Sequence, residues 1–315
     1  MKKLSNYLLT FFIILFCFGL VFFSSSNIES VHNALDLFLN AIFPSLFPFL
    51  IVSELLCHTF VISLISSKLG PIMKIFNSPP ISAYPFVMGL ISGYPVGARI
   101  VANLRMENKI SKLEGDRLLV FTNNAGPLFI IGSIGTTIYL NTSIGFLLYF
   151  VHLFSCIITG IIFGNFYKRN YRDISTTSSQ ELNFSSFGEI VSDSIKKAFI
   201  TLSTVCGFVV LFSLIISMLQ ASNILSIFFR GNIWIENISF GILEITSGIK
   251  LLSKITVNSL TPNLIATAFL LGFGGISVLL QVWSVISKTD LSIKPYVLGK
   301  IFNGVLSAVI MFILC

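Results

Sequence analysis

The sequence predicts an all-α polytopic membrane protein with about eight membrane segments, including two glycine-broken re-entrant hairpins in inverted repeats. Three observations carry that expectation. The 315 residues are 54% hydrophobic and 10% charged, with mean hydropathy +0.91; soluble domains are about a quarter charged. Apolar runs of about 20 residues, the length that crosses a bilayer, recur along the chain. Runs such as FFIILFCFGLVFF (11–23) do not alternate, which excludes the roughly 10-residue alternating strands of a membrane β-barrel.

The expected spans are 7–23, 37–65, 118–140, 144–166, 198–219 and 296–315, with less regular segments at 81–97, 233–252 and 263–287. Lys2 and Lys3 before an apolar run, with Ser24–Ser26 after it, resemble a signal peptide. The run from Tyr7 to Phe23 exceeds the usual signal core of about 7–15 residues, so it is expected to stay as a first span. Pro44 and Pro48 should kink the second.

Basic residues set the expected orientation. Lys2 and Lys3 place the N-terminus in the cytoplasm. Lys68 and Lys74 precede 81–97, and Arg99, Arg105, Lys109, Lys112 and Arg117 follow it. Both flanks of 81–97 belong inside, so this segment should enter the membrane and return. Next, 118–140 goes out and 144–166 comes back to Lys168, Arg169 and Arg172.

Residues 173–187, DISTTSSQELNFSSF, read as a polar linker between a first repeat (33–166) and a second (190–315) within one membrane domain. Laying FVMGLISGYPVGA (86–98) on AFLLGFGGISVLL (268–280) pairs Ser92-Gly93 with Gly274-Gly275, and ENKISK (107–112) then meets KTDLSIK (288–294). If 198–219 runs outward, the second hairpin enters from outside and the repeats are inverted. That arrangement leaves Lys288, Lys294 and Lys300 outside, against the charge rule.

Several function classes find no support. The cysteines (Cys17, Cys57, Cys156, Cys206, Cys315) are scattered, and the histidines form no ligand pattern, so neither a metal nor a cofactor is expected. No phosphate-binding loop or nucleophile–base set marks an enzyme. The +7 net charge lies between apolar runs, as orientation requires, and does not point to nucleic acid.

Candidate substrate-binding residues follow from the helix breaks. A broken membrane helix exposes backbone N–H groups and a positive dipole end, and transporters aim such ends at anions. Ser92, Gly93, Tyr94, Pro95 and Gly97 form the first break, with Arg99 beside it. Two readings of Arg99 stay open, a carboxylate-binding fork and a headgroup anchor. The Gly89, Gly93, Gly97 stripe also suits close helix packing. Asn123 and Asn124 interrupt another span and either line the same cavity or join helices. Gly274, Gly275, Ser277 and Gln281 are the second-half counterparts. Glu244 and Glu54 are carboxylates in apolar segments and candidates for coupling or gating.

GLISGYPVGAR (89–99), LLVFTNNAGPLFIIGSIG (118–135), GILEITSGI (241–249) and GFGGISVLLQ (272–281), in this order, resemble the YlbJ/SpoVV family of sporulation integral membrane proteins, within the nucleoside-recognition Gate group. The resemblance runs from about Phe38 to the C-terminus, with Leu279 where a more polar residue is expected. It implies movement of dipicolinic acid across the outer forespore membrane, from mother cell towards spore. It also implies kinship with Gate proteins that handle nucleosides or ions. Three functions are therefore carried forward: a carrier or channel for a small organic anion, a nucleoside or ion permease, and a non-transporting scaffold for a sporulation complex. Expected partners are the anion, the lipid bilayer, and either a second copy of the chain or other sporulation membrane proteins.

Overall fold

The computed structural model describes residues 2–57, 59–166, 187–255 and 259–315. The expected linker, apart from Phe187, lies outside the described residues, as do Lys168, Arg169 and Arg172. Every regular element among the described residues is helical.

Helix α1 (Lys2–Phe22) is apolar on all sides and leaves Phe11, Phe12, Phe18 and Phe22 exposed, as a lipid-facing helix does. The chain then bends by 97° into α2 (Ser24–Leu37). The Asn27 amide donates to the Gly19 carbonyl at 3.0 Å, which also accepts from Phe23 N–H at 3.1 Å, so the side chain braces the bend. A π-helical turn, Phe38–Ile42, leads into α3 (Phe43–Cys57), which holds Pro48, and α4 (Val61–Met73) follows after a second bend of 93°.

Next come α5 (Ala83–Ser92) and α6 (Val96–Met106), joined through Gly93, Tyr94 and Pro95. An unbroken helix would separate Gly89 from Gly97 by about 12 Å. Here a Cβ placed on Gly89 would come within 3.4 Å of the Gly97 Cα, so the chain reverses. Gly93 makes the turn at φ +82°, a conformation that a Cβ disfavours. A full capping box starts α7 (Lys112–Thr122): Glu114 N–H donates to Ser111 Oγ, and Ser111 N–H donates to Glu114 Oε2. This helix breaks at Asn123 and resumes as a π-helix, Leu128–Ile138, after Pro127.

The remaining elements are α8 (Thr142–Phe166), α9 (Phe187–Ala221), α10 (Ile224–Phe228), α11 (Ile233–Leu243), α12 (Ile245–Ser253), α13 (Thr261–Phe273), α14 (Gly275–Ile286) and α15 (Ile293–Leu314). Four helical stretches are long and apolar enough to cross a membrane: Thr142–Asn165, Phe187–Ala221, Thr261–Ile286 and Ile293–Leu314. The number rises to six if each bent pair counts as one span. Length and apolarity alone therefore do not reach the expected eight, because several elements are short interrupted helices.

The second chain reversal is not at Gly274-Gly275. There α13 and α14 run on as one 26-residue stretch, although Gly274 and Gly275 both have positive φ. The reversal lies at Glu244, between α11 and α12, where a Cβ on Gly248 would collide with the Gly241 backbone. The sequence pairing expects the second turn at Gly274-Gly275; the chain instead reverses at Glu244. The second turn is closed by a carboxylate: Glu244 accepts from Thr246 N–H at 3.0 Å and Ser247 N–H at 2.7 Å, and so caps α12.

This shift also removes the charge conflict. Because 261–286 crosses, the loop before α15 returns to the end of the molecule that holds the α6–α7 loop. Arg105 grips Asp290 there with two hydrogen bonds, 2.8 and 3.0 Å, and Ser292 N–H donates to Asp116 at 2.7 Å. Lys288 and Lys294 thus share an end with Lys109 and Lys112. Lys300 is not a loop residue at all; it is fully buried in α15. At the opposite end, Tyr139 bonds Thr267 at 2.7 Å. The α5–α6 reversal opens towards the first end and the α11–α12 reversal towards the second.

Candidate functional site

Both reversals, the break in α7 and the start of α14 meet around one cavity of about 50 Å³. Gly93 and Tyr94 come from the first reversal, Gly126 from the break in α7, Glu244, Ile245 and Thr246 from the second reversal, and Ser277 and Gln281 from α14. Ile42 at the end of the π-helical turn and Leu46 at the start of α3, with Val205 and Val209 of α9, close the other wall.

The wall is apolar except for a few groups. Among the described residues the buried Tyr94 hydroxyl has no hydrogen-bond partner, and neither has that of Ser92. Gln281 Nε2 donates to Ser277 Oγ at 3.4 Å. The first turn of α14 has no side-chain cap among the described residues, so its N–H groups present a positive dipole end. Glu244 is buried, and its charge is offset by the N-terminus of α12.

Other candidates stand at the margin or away from the cavity. Gly274 lies beside Tyr94, and Gly275 beside the Gly241 carbonyl. Gly97 packs on the Thr122 carbonyl, and Pro95 sits in the turn. Arg99 is turned away: it donates to Thr201 Oγ1 at 2.6 Å and to the Lys197 carbonyl at 3.3 Å, and pairs with Glu54 at 3.1 Å. Asn123 and Asn124 are wholly buried behind the cavity. Asn123 accepts from Ala98 N–H and donates to Tyr296 Oη at 2.8 Å, while Asn124 donates to the Phe121 carbonyl.

Compared with known proteins, the chain is 30% identical to the sporulation integral membrane protein YlbJ of Bacillus subtilis (strain 168), over 344 aligned positions that cover all of this chain and 84% of the relative. The chain belongs to the YlbJ family. No family model matches it, and no solved structure is similar to it.

In this YlbJ-family protein the polar interior extends beyond the residues singled out above. Tyr296, Lys300, Asn303 and Ser307 form one buried face of α15. Lys300 Nζ donates to Asn124 Oδ1 at 3.2 Å and lies 5.7 Å from the Tyr296 ring centre. Asn303 donates to the Gly272 carbonyl, and Ser307 to Ser155 Oγ. On α8, His152 Nε2 accepts from Ala125 N–H at 3.2 Å. The signal for the α15 face was legible: four polar residues at helical spacing inside an apolar span.

Proposed function

We propose that this protein carries a small organic anion across the membrane, and that the anion is dipicolinate crossing the outer forespore membrane during sporulation. The convergence of two chain reversals, the break in α7 and the start of α14 on one cavity carries the reading. Reversals that open to opposite ends and meet at one cavity are the arrangement that alternating access uses. The uncapped start of α14 and the free Tyr94 hydroxyl are suited to carboxylate oxygens. The cavity has room for a few water molecules, so admitting a planar diacid requires the α3–α9 wall to move from the reversals. The relative is named for sporulation, which agrees with such a cargo.

The deciding experiment is uptake of labelled dipicolinate by liposomes holding the purified protein. Uptake above that of protein-free liposomes, not competed by nucleosides, is expected. Equal uptake in both preparations would refute the proposal. Glu244 favours a second reading, since a carboxylate in the wall opposes a dianion and suits a cation or the hydroxyls of a nucleoside. Competition by nucleosides or by a monovalent cation would support that reading instead.

A further inference from the structure

We propose that Lys300 and His152 form a proton-binding site coupled to the cavity through the break in α7, so that cargo anion and proton move together. The inference rests on the carrier reading for its cargo, and on independent geometry for the proton.

Both groups are buried bases. Lys300 is 1% exposed and so is His152. No carboxylate among the described residues ion-pairs with Lys300. An ammonium has three donors, and one hydrogen bond, to Asn124, serves them here. His152 Nδ1 has no partner among the described residues. Ionisable groups at membrane depth are costly and usually functional, and the described residues supply nothing that would hold both bases charged at once.

Four consecutive residues connect these bases to the cavity. Asn123 is held by Tyr296, Asn124 by Lys300, and Ala125 N–H by His152 Nε2. The next residue, Gly126, is cavity wall and packs against Gly93. His152 can accept from Ala125 only while Nε2 carries no proton. A proton on Nε2 would set N–H against N–H and release the break. The state of the pair therefore sets the shape of the wall. By reciprocity, an anion against that wall draws a proton onto the pair. The amine takes one proton to become ammonium as the anion enters and gives it up on the far side as the anion leaves, so a dianion crosses with one net negative charge.

The other titratable groups near the pair are few. Cys156 of α8 and Tyr296 of α15 face Lys300. Helices α13 and α14 carry none, and those of α7 (Lys112, Glu114, Asp116, Arg117) lie in its first two turns, away from Asn124. Tyr94 lies within electrostatic reach of both Tyr296 and Glu244, a second link from cluster to cavity.

The test uses proteoliposomes containing a pH dye, with labelled dipicolinate outside, for the wild type, Lys300→Met and His152→Gln, whose amide oxygen can still accept from Ala125. Wild-type uptake should acidify the interior and fall by up to about tenfold per pH unit on the alkaline side. Lys300→Met should lose that dependence. Uptake without proton entry, or an unchanged pH profile in Lys300→Met, overturns the coupling and leaves the carrier reading standing. Absence of all uptake overturns the carrier reading, and the proton site is then decided without cargo. The chain has three histidines, so nitrogen-15 histidine spectra across about pH 6–9, assigned with His152→Gln, report on His152. A His152 signal whose pH dependence changes in Lys300→Met supports the shared site; the same pH dependence in both proteins overturns it.

Discussion

Arg99 of α6 and Glu54 of α3 lie 3.1 Å apart, with side chains only 16% and 9% exposed. Arg99 also holds Thr201 of α9, so one guanidinium ties the first reversal to the two helices that form the opposite cavity wall. If cargo reaches the cavity from the Arg105–Asp290 end, this cluster would be expected to bar it. A carboxylate-binding Arg99 would need these bonds to break first.

Glu54→Gln should therefore do two things. It removes the charge partner of a mostly buried guanidinium that keeps its bonds to Thr201 and Lys197, which costs about 1–3 kcal/mol, and it loosens the first reversal from α3. Thermal unfolding in detergent should show the loss, and Arg99→Met added to Glu54→Met should recover much of it. A water-soluble thiol reagent applied from the Arg105 end should reach a cysteine at Val205 faster in Glu54→Gln. Unchanged labelling would show that this ion pair does not close the route.

Close approach at the first reversal depends on two missing side chains. A Cβ on Gly89 or on Gly97 would overlap the Thr122 carbonyl, which is backbone and cannot step aside. Either alanine variant should lose at least about 3 kcal/mol of stability and fail to accumulate in the membrane. Gly207 of α9 is the control, with nothing within 4 Å of its would-be Cβ. Gly207→Ala should be neutral or stabilising by up to about 1 kcal/mol.

Membrane helicity and the first reversal were legible because they rest on local chemistry: long apolar runs, Gly93 and Pro95 in mid-segment, and basic residues on both flanks. The second reversal was missed because no glycine makes its turn. Glu244 does the work by capping α12, and a search for paired glycines settles on Gly274-Gly275 instead. Lys300 was counted among the orientation charges of its neighbours Lys288 and Lys294, since residue type alone does not separate a loop lysine from a buried one. Its spacing to Tyr296, Asn303 and Ser307 does. Arg99 was read between a ligand fork and a headgroup anchor, and its ties to Glu54 and Thr201 span three helices distant in sequence, beyond the reach of any local pattern.

The two charged loops give a pH prediction outside the spans. The hydrogen bond from Arg105 holds the Asp290 carboxyl below the ordinary aspartate range. A carboxylate with a lowered folded value adds stability above its unfolded value, and that stability is lost as pH falls through the folded value. The loop contact should thus survive mild acid and weaken only below the normal aspartate range. Asp290→Asn should remove this part of the acid sensitivity while leaving the unfolding midpoint at neutral pH nearly unchanged, because the pair is exposed. Unfolding midpoints recorded from neutral pH downward, in both proteins, check this.

Glu244→Gln separates the two cargo readings. The amide oxygen can still accept from Thr246 or Ser247, so the cap is weakened and not lost, at a cost within about 1 kcal/mol. The change in the cavity is electrostatic: a negative charge leaves its wall. If the cargo is a dianion, that charge opposes it, and the variant should take up dipicolinate at lower concentration than the wild type. If the cargo is a cation, or a nucleoside held through its hydroxyls, the carboxylate is an acceptor for it and affinity should fall by about tenfold or more. Concentration dependence of uptake for dipicolinate, a nucleoside and a monovalent cation, measured in wild type and Glu244→Gln, gives opposite signs for the two readings. A variant with all three dependences unchanged would remove Glu244 from cargo recognition altogether.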